Sequence, residues 1–138
     1  MPDYGTYDGD DVWYNSLHGD LVEVQKAVEA GAPVDHVGVR GWTPLFAACA
    51  RGHADVVQTL LQSGADTEIE TDNGWRALMT AAQQGNDEIV SMLLGAAADP
   101  NVRNRDGHTA LQLAEIANMS GAVDMLKPLT EIGTPALS

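Results

Sequence analysis

The sequence predicts an all-α domain, a solenoid of four stacked helix–turn–helix units, and three observations predict it. First, the string Gly-Trp-Thr-Pro-Leu-Phe-Ala-Ala at Gly41 returns as Gly-Trp-Arg-Ala-Leu-Met-Thr-Ala at Gly74 and as Gly-His-Thr-Ala-Leu-Gln-Leu-Ala at Gly107. The spacing is 33 residues both times (74 − 41 and 107 − 74), and a fixed period of this length marks one supersecondary unit stacked on copies of itself. Second, each period carries two short apolar stripes at helical spacing, divided by Gly or Asn. Third, strand content is near nil. Stacked units build an extended surface, so the first inference about function is recognition of another macromolecule.

The elements follow in order. In the first unit, residues 10–37, the leading helix runs roughly from Asp10 to His18 and is degenerate. Gly19-Asp20-Leu21 opens its second helix, with Val24, Ala27 and Val28 inward and Gly31-Ala32 at the close. The second unit, 38–70, is the type unit. Gly41 suits a turn, and Thr43-Pro44 starts a helix: the hydroxyl caps an orphan N–H, and Pro fits the first helical position. Leu45, Ala48 and Cys49 form one face, small enough for a neighbour to approach closely. Gly52 ends that helix in a left-handed conformation. Val56, Val57, Leu60 and Leu61 make the second stripe, and Gly64 closes it. The third unit, 71–103, repeats the skeleton with Leu78, Ala81, Ala82, Gly85, Ile89, Val90, Leu93 and Leu94. The fourth, 104–129, uses Leu111, Ala114, Asn118, Val123 and Leu126, with Asn in the left-handed place of Gly. No stripe can be buried by one unit alone, so the units must stack.

Terminal units should turn a polar side to water. Asn15, Ser16 and Glu23 replace small or apolar residues at the first end, and Glu115 and Lys127 do so at the last. Both ends read as caps, and the array reads as finished. Residues 1–9 form an acidic lead, expected to be disordered up to the first helix; it either folds against a basic partner or only solubilises. The tail, 130–138, has no pattern.

These residues resemble the ankyrin repeat family. "GWTPLFAACARGHADVVQTLLQSGAD" is similar to that family's turn, helix start, Gly-His break and Gly-Ala-Asp ending, and the resemblance covers about residues 10–129. It implies an ankyrin-repeat solenoid with β-turn fingers set at right angles to helix pairs. The fingers and inner helices would line a concave face that binds proteins. Departures matter. Phe46, Met79 and Gln112 stand where the family often has a His that links fingers. Arg76-Ala77 replaces Thr-Pro, losing a cap worth about 0.5–2 kcal/mol, so the third unit should be the locally weakest. Ala97 stands where Gly would close a helix, and Gly95, two residues earlier, is a candidate to shift the break.

Composition narrows the partners. The chain has 138 residues, 20 Asp+Glu against 7 Lys+Arg, and a net charge of −13. Such a chain repels phosphate backbones and anionic lipid, so nucleic acid and membrane are not expected as partners, and a basic protein surface is favoured. Cys49 is the one cysteine, which forbids an intrachain disulfide and reads as packing. The acidic start is the opposite of a secretory leader, so the cytoplasm is the expected location. Enzyme signals are missing: Gly95-Ala-Ala-Ala lacks the Lys-Ser/Thr of a phosphate loop. His18, His36, His53 and His108 lack the i, i+4 pairing of a helical metal site, and no serine sits in a nucleophile elbow. No catalytic residue, metal or cofactor is expected.

The binding residues are sought at the fingers and inner helices. Trp42 and Trp75 each follow a turn glycine and are expected outward, in a ladder about 8–10 Å apart; exposed Trp is typical of interface hot spots. The other account is that each indole lies over a neighbouring finger and stiffens the stack. Trp13 and Tyr14 either extend this patch or pack the first helix. Arg40, Arg51, Asp72, Asn73, Gln83, Gln84, Arg105, Asp106, His108 and Ile116 complete a mixed-charge rim. The expected function is a protein–protein interaction module, monomeric when unbound, that binds a protein or peptide. The alternative is a structural self-assembly module joined through the Trp-bearing surface.

Overall fold

The computed structural model describes residues 7–130. Asp3 and Tyr4 of the lead and residues 131–138 of the tail lie outside the described residues. Eight α-helices follow one another: α1 (Gly9–His18), α2 (Leu21–Glu29), α3 (Pro44–Arg51), α4 (Ala54–Gln62), α5 (Ala77–Gln84), α6 (Asp87–Gly95), α7 (Ala110–Ile116) and α8 (Ser120–Leu126). Short 3-10 turns occupy Val39–Gly41 and Lys127–Leu129, and there is no strand among the described residues. Each odd-numbered helix packs on the even-numbered one that follows it. The odd-numbered helices also pack closely side by side, as a first-helix row; the even-numbered helices form a looser second row.

Helix starts follow side-chain chemistry. Thr43 Oγ1 accepts from the Phe46 N–H at 3.1 Å, and Thr109 Oγ1 from that of Gln112 at 3.2 Å. Asp8 caps α1 through the Asp10 and Asp11 N–H groups, while Asp11 Oδ2 accepts from the Asp8 N–H at 2.7 Å. The end of the lead is therefore anchored, contrary to the expectation of disorder up to the helix. Tyr7 also packs on the core and its hydroxyl donates to Glu23 Oε1 at 3.4 Å. Arg76 gives α5 no side-chain cap. Its guanidinium reaches the preceding connection, donating to the Glu68 carbonyl at 2.9 Å and to Glu70 Oε2 at 3.3 Å.

Burial follows the stripes. Leu45, Ala48, Cys49, Val56, Val57 and Leu60 of the second unit are buried, as are Leu78, Ala81, Ala82, Ile89, Val90 and Leu93 of the third. Burial pushes the Cys49 thiol up from its ordinary value, which suppresses the thiolate. Left-handed residues recur in register: Gly19, Gly52, Gly85 and Asn118 between paired helices, and Gly31, Gly64 and Ala97 after them.

Two expectations are corrected. Gly95 does not shift the break: it is the last residue of α6, and Ala97 itself adopts φ 65° where Gly64 has φ 86°. The register of the stack overrides the preference of the residue. Ser16 does not face water. It is 0% exposed, and its Oγ has no hydrogen-bond partner. It stands 33 residues before Cys49, in a slot that accepts any small side chain. At the far end Glu115 and Lys127 are exposed. No helix among the described residues is long and apolar enough to cross a membrane.

Candidate protein interface

Three turns stand between the helix pairs, each closed by the same backbone bond. The N–H of Gly38 donates to the Trp42 carbonyl at 2.8 Å, that of Thr71 to Trp75 at 2.9 Å, and that of Asn104 to His108 at 2.9 Å. Side chains brace the second and third turns from within. Thr71 Oγ1 accepts from the Trp75 N–H at 3.2 Å; Asn104 Oδ1 accepts from the Asp106 and His108 N–H groups, both at 3.0 Å.

The first turn is built differently. Gly38 has no side chain to brace it, and a Cβ there would run into the Trp13 indole. Trp13 adds a different bond from outside: its Nε1 donates to the Trp42 carbonyl at 2.8 Å, while the Trp42 N–H donates to the Val39 carbonyl at 3.1 Å. Arg40 is left-handed at φ 63°, whereas Asn73 and Asp106, at the same place in the later turns, are not. The Asp72 N–H donates to the Arg40 carbonyl at 3.1 Å, linking first turn to second by backbone.

This geometry opens a cleft of about 220 Å³ between α1, the first turn and the end of α3. Trp13, Leu17, Val39, Arg40, Trp42 and Arg51 line it. Trp42 is half-buried, its indole tilted 59° against Phe46 with ring centres 4.9 Å apart. Tyr14 is 58% exposed and rests on His18, 4.3 Å between ring centres. Of the two, Trp13 is therefore the one that joins the patch.

Of the sequence-derived candidates, the cleft gathers Arg40, Trp42 and Arg51. Trp75 is half-buried on the second turn and packs on the core, beside exposed Asp72 and Asn73. Arg105 and Asp106 are exposed on the third turn, with His108 half-buried. Gln84 is a strut: its Nε2 donates to the Ala50 carbonyl at 2.7 Å, tying α5 to α3. Gln83 is exposed at the end of α5 and Ile116, 66% exposed, at the end of α7. Leu17 and Val39 are absent from the sequence-derived set, and Trp13 enters it only as one of two alternatives. The available signal was register, since Trp13 stands 33 residues before Phe46.

Among the described residues, two of the Lys and Arg side chains are held in ion pairs. Lys26 pairs with Glu23 at 3.2 Å, which raises its pKa, and Arg76 pairs with Glu68 and Glu70. Arg103 donates to the Gly107 carbonyl and to Gln112 Oε1. No ion pair among the described residues engages Arg40 or Arg51. His53 Nε2 donates to the Leu17 carbonyl at 3.1 Å, and His36 Nε2 lies 2.8 Å from Asp10 Oδ1. Both rings hold elements together. No three His, Cys, Asp or Glu among the described residues gather as metal donors.

The family model described as ankyrin repeats (3 copies) matches residues 13–104 and, in an overlapping placement, 70–134. The matched stretch takes in the cleft and all three turns. No curated protein matches the chain.

Proposed function

This chain belongs to the ankyrin repeat family, whose members are in general protein–protein interaction modules, and we propose that it binds a protein or peptide on its turns and first-helix row. The observation that carries this reading is the pair Trp42 and Trp75. They occupy the same place in successive turns, and both remain half-exposed while Leu45, Leu60, Met79, Ile89 and Leu93 of the same units are buried. Half-exposed indoles ringed by Arg40, Arg51, Asp72 and Asn73 have the make-up of an interface core and rim. The reading is of a non-enzymatic cytoplasmic module, monomeric when unbound, and the net charge of −13 favours a partner with a basic surface elsewhere.

Hydrogen exchange on the complex with a partner captured from lysate tests it. Protection gained at residues 38–42 and 71–75 supports the reading. Protection confined to α4 and α6 contradicts it. Sedimentation over a range of concentrations separates it from self-assembly, which requires a homodimer covering the same turns.

A further inference from the structure

We propose that the cleft between α1, the first turn and α3 is a specificity pocket for a partner segment that places one large apolar side chain beside carboxylates. This rests on the reading of the turn side as the partner face and names the chemistry that face selects. Size comes first. At about 220 Å³ the cleft is below the range of small-molecule sites, about 300–1,000 Å³, and suits a single anchoring side chain. Its walls are apolar: Trp13, Leu17, Val39 and Trp42.

Charge selects the flanks. Two of the chain's 7 Lys+Arg line this one apolar cleft, in a molecule with 20 Asp+Glu, and, like Arg103, Arg105 and Lys127, neither makes an ion pair among the described residues. Unpaired guanidinium forks match carboxylates in bidentate geometry. Arg51, in the last turn of α3, also suits that helix end. Arg40 has no such local reason. It holds a left-handed backbone that Gly or Asn adopts more easily, and the equivalent Asn73 and Asp106 avoid it. The strained turn carries Arg40 to the cleft, and Trp13, another wall of the same cleft, bonds that turn at the Trp42 carbonyl. The whole chain thus attracts a basic partner while the cleft accepts an acidic, apolar segment of it.

The test pans a displayed library of random peptides against the full chain. Enriched peptides are then titrated against the parent, Arg40→Asn with Arg51→Gln, and Arg105→Gln with His108→Gln. Asn tolerates the left-handed backbone, and circular dichroism checks the fold. If the double variant unfolds, Arg51→Glu alone, at an exposed helix end, replaces it. The expected result is enrichment of Asp or Glu next to Leu, Ile or Phe, with binding weakened about tenfold or more by the cleft substitutions and less by those at Arg105 and His108. No enrichment, basic or uncharged winners, or indifference to the cleft substitutions overturns the proposal. Peptides lost only on the Arg105/His108 variant overturn the pocket and leave the turn-side reading standing; peptides indifferent to both remove both.

Discussion

Trp13 donates its indole N–H to the carbonyl of Trp42, 2.8 Å away, so a residue of the first helix braces from outside a turn whose later counterparts are braced by their own side chains. Thr71 and Asn104 perform that bracing in the second and third turns. Gly38 and Trp13 are therefore one solution in two parts: the glycine exists to admit the indole.

Gly38→Thr installs the residue that serves the second turn. Here it is expected to cost about 1–3 kcal/mol, because its Cβ meets the Trp13 ring. Urea melts of Gly38→Thr, Trp13→Ala and the double variant check this. The double variant should lose less than the sum of the singles; strict additivity would show that the two positions are independent.

Ser16→Ala removes a buried hydroxyl that has no partner. The expected change lies between neutral and a gain of about 1 kcal/mol. A fall in melting temperature would mean that the hydroxyl is hydrogen-bonded after all.

Ala97→Gly and Gly95→Ala should both stabilise, by about 0.5–1 kcal/mol each. Ala97 is left-handed, where Gly relieves strain, whereas Gly95 is helical with open space around its Cβ position. Chemical denaturation decides. Destabilisation by Gly95→Ala would place the break at Gly95.

Cys49 links stability to alkaline pH. Its folded pKa lies above the unfolded value of 9.0, so the unfolded thiol ionises first. The contribution is whole below pH 9 and is lost as pH rises beyond it, by about 1.4 kcal/mol per pH unit. Cys49→Ala, which copies Ala82, should flatten the stability curve above pH 9 relative to the parent. Identical curves would show that the thiol is not shielded.

The fold was largely legible because the stack enforces one register. Thr43-Pro44, the glycine breaks and Asn118 announce helix ends locally, and apolar spacing announces the buried faces. What stayed hidden was set between units. Ser16 looks like a water-facing cap by type, but a slot shaped by its neighbours buries any small residue. Gly95 looks like the break, yet the next unit fixes it at Ala97. The cleft was half visible: Arg40, Trp42 and Arg51 lie at legible turn and helix-end positions. Trp13 belongs to a degenerate first helix, and its bond to Trp42 crosses from one unit to the next.

The most direct test of the turn-side interface compares the parent with Trp42→Ala combined with Trp75→Ala, measuring affinity for the captured partner and urea stability on the same samples. Because Trp42 rests on Phe46 and Trp75 on the core, a modest stability loss of about 1–2 kcal/mol is expected. Binding should fall much further, by about 2 kcal/mol or more per indole, with the helical signal retained. Unchanged affinity, or affinity that drops only as far as the fold does, would contradict the account.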